Sequence, residues 1–154
     1  MLAVGRVGPL LREAVGEYER RASRYWSFEA IETREEKASQ GLPADRIRAA
    51  EAERLLARVP PGFDIVALTR AGAPWDSTRL ARYLEQLGVQ SRAGAAFLIG
   101  GALGLGDEAL QRATHQLRLS DLTLPHELAR LTLTEQLYRA GTIVRGEPYH
   151  KARE

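Results

Sequence analysis

The chain has no cysteine, which excludes a disulfide framework and thiolate chemistry. Lysine is nearly missing: positions 37 and 151 hold the only two, so twenty of the 22 basic residues are arginine. Two readings of that bias stand. Arginine makes bidentate contacts with phosphate, and a GC-rich genome also writes arginine for lysine. No apolar run approaches the roughly 20 residues that cross a bilayer. The opening MLAVGRVGPL carries Arg6 and Pro9 and lacks the layout of a secretory signal. Internal repeats and low-complexity tracts are absent too. The expectation is a cytoplasmic protein.

What is present is ordinary globular material. A chain of 154 residues, 44% hydrophobic and 27% charged, with a formal charge of +2, is one domain with room for a buried core. The pattern alternates between strand and helix. MLAVGRV (1–7) reads as a strand and residues 9–25 as a helix with Leu10, Ala14 and Tyr18 on one stripe. A strand is predicted over 26–33, a loop over 34–45 and a helix over 44–58 that PPG at 60–62 ends. DIVALT (64–69) is a short buried strand, and RAGAPWDS turns out of it. Asp76 or Ser77 caps a helix whose Leu80, Leu84 and Leu87 share a face. AAFLIGG (95–101) is a buried strand, and residues 107–115 form a short helix with acids in its first turn. LRLSDLTL (117–124) leads into a long helix from Pro125 to Val144.

This alternation predicts an α/β domain with a mostly parallel sheet flanked by helices. Ligands in such sheets lie beyond the carboxyl ends of the strands. Three stretches share that rim: the end of ALTRAG, the end of LIGGALGLG, and RLSDLTLP.

Two features of this rim raise questions. Glycines crowd together at 100, 101, 104 and 106, yet no register satisfies GxGxxG and no GK[ST] follows. That leaves a tight strand-to-helix turn, or bare backbone against which an adenosine-like ligand lies. The long last helix is the second feature. At 100° per residue, Ala129, Leu133, Leu137, Ala140 and Val144 fall on one side, and Leu128, Leu131 and Tyr138 fall opposite. A surface helix needs one apolar stripe. The second either meets another subunit or is covered by the chain's own tail.

LIGGALGLGDE, RLSDLTLPHELAR and LTLTEQLYRAGTIVRGEPYHK together resemble the C-terminal half of small bacterial methyltransferases of the SPOUT superfamily that act on large-subunit ribosomal RNA. LAVGR and ALTRAGAPWDS are similar to the corresponding strands of that family, so the resemblance spans essentially the whole chain. TLPH, EQLYRA and PYHK occur in the family's order and spacing. The first strand, at LAVGR, is a few residues shorter than the family's, and Ala102 and Asp107 fall in a variable part of the glycine turn.

The resemblance implies a C-terminal trefoil knot over about 95–145, a homodimer, and S-adenosylmethionine (S-adenosyl-L-methionine) as cofactor, with no metal. It implies N3 of a pseudouridine in 23S rRNA, within the ribosome, as the methyl acceptor. Carried over by position, the cofactor residues are Leu68, Gly100 and Gly101, with the loop Leu119, Ser120, Asp121, Leu122, Thr123 and Leu124. N3 must lose a proton, so a base or a cation near the developing anion is needed. Arg139, Tyr149 and His150 are the catalytic candidates: anion stabiliser, base-stacking ring and proton acceptor. Glu135 is either a helix-to-helix polar contact or catalytic, His126 contacts the cofactor loop or caps structure, and Arg145, Lys151 and Arg153 are placed as phosphate contacts. Alternatives are a SPOUT enzyme acting on tRNA or another rRNA position, and a non-catalytic dimer that binds RNA or the ribosome.

Overall fold

The computed structural model of the protein describes residues 1–37, 41–90 and 92–150, the side chain of His150 excepted. Residues 38–40 of the predicted loop, and Lys151 and Arg153 of the tail, lie outside that description.

Five parallel strands form one sheet in the order β2-β1-β4-β3-β5. They are β1 (Leu2–Val4), β2 (Ile31–Thr33), β3 (Phe63–Pro74), β4 (Gly94–Ile99) and β5 (His115–Arg118). The helices between them are α1 (Pro9–Ala22), α2 (Ala44–Leu56), α3 (Ser77–Val89), α4 (Asp107–Arg112) and α5 (His126–Val144), with a short 3-10 turn at Pro148–His150.

Alternation along each strand explains the layering. On β4, Ala96 and Leu98 face one cluster while Phe97 and Ile99 face the other, because successive strand side chains point to opposite faces. The first cluster packs on α2 through Ala52, Leu55 and Leu56 and on α4 through Ala109. The second packs on α3 through Leu80 and Ala81, and on α5 through Leu133, Leu137 and Ala140. Each central strand is covered on both faces, as a parallel sheet requires.

Several boundaries differ from those expected. The strand predicted over 26–33 shortens to Ile31–Thr33. The helix predicted over 107–115 stops at Arg112, and His115 opens β5 beside Val66. Strand β3 does not end at Thr69; it runs on to Pro74, with a register shift against β5 between Leu68 and Ala73. Gly72 makes that continuation possible. A Cβ there would stand 2.7 Å from the carbonyl carbons of both Gln116 and Leu117, so a side chain would drive the two strands apart. The cap of α3 falls to Asp76, whose carboxylate accepts from Arg79 N at 2.6 Å.

Part of the second stripe of α5, its Tyr138, has its cover within the same chain. Tyr138 packs on Tyr18 and Tyr25, with ring centroids at 6.3 Å and 5.7 Å, and on Tyr149 at 4.5 Å. Gly141 gives Tyr25 its room. Arg130, seven residues before Leu137 and so in line with it on the helix, ties α5 to its neighbours. It is 7% exposed and donates to Glu19 of α1 at 2.8 Å and to Glu32 of β2 at 2.6 Å. Leu128 and Val144, at the two ends of the helix, stay exposed.

A candidate cofactor and active site

The carboxyl ends of β3 and β5 make a shallow depression of about 90 Å³. Leu68, Leu119, Ser120, Leu122 and Leu124, five of the positions carried over as cofactor residues, line it. Thr69, Arg70 and Ala129 line it as well. Thr69 and Arg70 belong to the ALTRAG stretch expected on this rim, though not named as site residues, and Ala129 was missed, since only the docking of the start of α5 brings it in. The loop after β5 has unspent polarity. Among the described residues, backbone groups of 120–124 make no hydrogen bond to other backbone, and the Leu122 amide is met by Ser120 Oγ at 3.0 Å. Asp121 faces outward in an ion pair with Arg118 at 3.1 Å, and Thr123 is exposed.

Gly100 and Gly101 are not among the residues lining the depression. A Cβ on Gly100 would lie 2.5 Å from the carbonyl carbon of Gly104, and one on Gly101 would lie 2.9 Å from Glu51 Oε2. The chain's own atoms thus fill the space that these glycines leave. Gly104 N donates to Gly101 O at 3.0 Å, and Gly104 takes a φ of 81° to close the turn.

A second cluster lies farther along α5. The Glu135 carboxylate accepts from Arg139 Nη2 at 2.7 Å and Nε at 3.0 Å, and from the Tyr149 hydroxyl at 3.1 Å. The Arg139 guanidinium stands 4.9 Å over the Tyr149 ring. Glu135 raises the Arg139 pKa further, so the cation is permanent. Burial first, then Tyr18 and Glu135, push the Tyr149 phenol up, and it stays a neutral donor. Two of the three catalytic candidates are therefore brought together, and Glu135 joins them. Arg145 lies elsewhere, 4.6 Å over the Tyr25 ring.

A chain of this design has known relatives. The family model described as predicted SPOUT methyltransferase matches residues 1–150. This protein belongs to the SPOUT methyltransferase family. Its SPOUT relatives include proteins named ribosomal RNA large subunit methyltransferase H. The one from Gemmatimonas aurantiaca is 47% identical over 152 residues, covering 98% of this chain and 97% of the relative. The one from Acetivibrio thermocellus is 41% identical over 155 residues, covering 98% of each. The crystal structure of a "probable methyltransferase" from Bordetella pertussis Tohama I, at 17% identity, superposes with a TM-score of 0.55 over 91% of this chain and 92% of that one, a likeness of fold.

A larger cavity, about 510 Å³, opens at the amino ends of the strands between Trp26, Phe28, Phe63, Leu84 and Leu137. None of the expected SPOUT site residues lines it. It sits at the end of the sheet opposite to that at which α/β folds bind ligands, so the smaller depression is the better candidate.

Proposed function

We propose that this protein is an S-adenosylmethionine-dependent methyltransferase that modifies N3 of a pseudouridine in 23S rRNA within the ribosome. The observation that carries the proposal is full-length similarity to relatives named for large-subunit rRNA methylation. The depression fits the cofactor in kind. Its leucines offer flat apolar walls for an adenine ring, and the unspent 120–124 backbone offers donors and acceptors for the ring edge. When bound, S-adenosylmethionine supplies an electrophilic methyl group on a sulfonium sulfur.

The protein's task is then to align the base and manage its charge. Positioning supplies much of the rate in a displacement of this kind. Tyr149 presents a ring on which a splayed-out base stacks. The permanent Arg139 cation stabilises negative charge as N3 loses its proton. Glu135 holds both groups in one geometry. His150, the third candidate, is the proton acceptor. Arg145, with Lys151 and Arg153 of the tail, supplies phosphate contacts.

A homodimer completes the site. Two observations support this. The depression, about 90 Å³, is small beside the roughly 300–1,000 Å³ of a typical small-molecule pocket. Within one chain, Arg139 lies ten residues along α5 from Ala129 at the depression, which is about 15 Å of helix. The tail of one protomer laid across the depression of its partner would close both gaps.

Calorimetric titration with S-adenosylmethionine, with solution mass measured on the same sample, tests the first step. Saturable binding by a dimer is expected. Gly100→Val should abolish it, because the side chain collides with the Gly104 backbone, while the melting transition persists. Methylation of ribosomes lacking the modification is the next assay. A folded dimer that fails to bind the cofactor with and without ribosomes overturns the proposal.

A further inference from the structure

Glu51 is the one buried side chain among the described residues whose polar atom lacks a partner. It is 5% exposed, its Oε1 accepts from Glu36 N at 3.0 Å, and its Oε2 has no partner. The free oxygen lies against the glycine turn, 2.9 Å from where a Cβ on Gly101 would stand. Glu51 does not act alone. Arg48, Glu51 and Ala52 share one face of α2 at i, i+3 and i+4. A Cβ on Gly106 would stand 2.6 Å from Arg48 O and 3.0 Å from Ala52 Cβ. One turn of α2 therefore buttresses both ends of the 100–106 turn, and two glycines are needed to let it in.

We propose that Glu51 is a positioning residue for the glycine turn: its carboxyl, wedged between the Glu36 amide and Gly101, fixes the turn beyond β4 and, through β4, the neighbouring end of β3 that lines the cofactor depression. The role rests on the methyltransferase reading given above.

A carboxyl in this place works best uncharged. Burial raises the Glu51 pKa, the Glu36 amide opposes that, and Glu35 adds to it. The charged groups facing it are Glu35 and Glu36 from the segment after β2 and Arg54 from α2, and Arg54 is already paired with Glu36. Val4 of β1 shares the space beside Gly101 with the Glu51 carboxyl. An ionised Oε2 would be buried without a donor and beside two like charges, which favours leaving the wedge for water. The sign follows from a folded-state pKa above the unfolded one. The contribution is complete below the unfolded value and is lost as pH rises through the folded value.

The test compares wild type, Glu51→Gln and Gly101→Ala by cofactor titration and amide hydrogen exchange from about pH 5 to about pH 8, on the upper side of the ordinary glutamate value. Wild-type affinity should fall as pH rises, by about tenfold for each pKa unit separating the held turn from the released one. The Glu51→Gln profile should be flat and should match wild type at the acid end. Exchange at 101–106, corrected for intrinsic rate, should quicken with pH in wild type only. Gly101→Ala should weaken binding at every pH, and Glu51→Ala in the same chain should restore part of it by vacating the space. Parallel pH profiles in wild type and Glu51→Gln overturn the inference. Wild type that never binds cofactor overturns the methyltransferase reading instead, and the exchange data then decide on Glu51 by themselves.

Discussion

Glu135 occupies a central place at the scale of single residues. Its carboxylate collects Arg139 and Tyr149 and so fixes the two groups proposed to meet the target base. Replacing Arg139 by alanine should lower kcat on ribosomes by about 10²-fold, the usual loss when one stabiliser of developing charge is removed. Cofactor affinity should not change, and a parallel drop in that affinity would argue against the assignment. Arg130 looks similar in sequence, but its part is structural. It is a buried cation between Glu19 and Glu32. Arg130→Ala should destabilise the fold by about 3–5 kcal/mol, since two carboxylates lose their shared partner; a denaturant titration reads this directly. Arg139 and Tyr149 were legible as candidates because EQLYRA and PYHK carry them. The roles of Arg130 and Glu51 were not. Partners such as Glu19 lie 111 residues away along the chain, and no local pattern encodes such a contact.

At the scale of elements, periodicity, caps and breakers located the five α-helices, and short apolar or alternating runs located the first four strands, while β5 was not read as a strand. Boundaries failed where tertiary contact overrode local signals. RAGAPWDS looks like a turn, with glycine and proline close together, yet Gly72 serves the approach of β3 to β5 rather than a reversal. Gly72→Ala should therefore perturb the neighbouring depression as well as the strands. Its melting temperature should drop and its cofactor affinity should weaken together. Asp76→Ala, by contrast, removes a single cap bond to Arg79 and should cost about 1 kcal/mol with cofactor affinity unchanged. Two apolar stripes were read on α5, and cover of the second by the chain's own tail was one of two readings; Tyr149 supplies that, and the share that Tyr18 and Tyr25 take was not foreseen. Aromatic residues scattered over α1, α5 and the 3-10 turn become one cluster only after folding.

For the whole molecule, the parallel sheet followed from the alternation of elements, but the strand order did not, because periodicity says nothing about which strands are neighbours. If tail and depression belong to different protomers, mixing two inactive variants should restore activity. Gly100→Val supplies an intact tail, and His150→Ala supplies an intact cofactor loop. Mixed dimers should recover up to about half of the wild-type sites, by the logic of a site shared between isologous subunits. Verified heterodimers with no activity would place the whole site within one chain.

The position of β1 also bears on how the protein is made. Leu2 and Ala3 are held on one side by Leu98 and Ile99, residues translated almost a hundred codons later. The helix that closes that face through Leu133 and Leu137 is translated later again. Until then the nascent chain carries β1 with only its β2 edge able to pair and its apolar faces open, the state in which chains invite aggregation or chaperones. Such long-range closure also makes folding slow. Synthesis of this protein must be nearly complete before its fold can begin to lock.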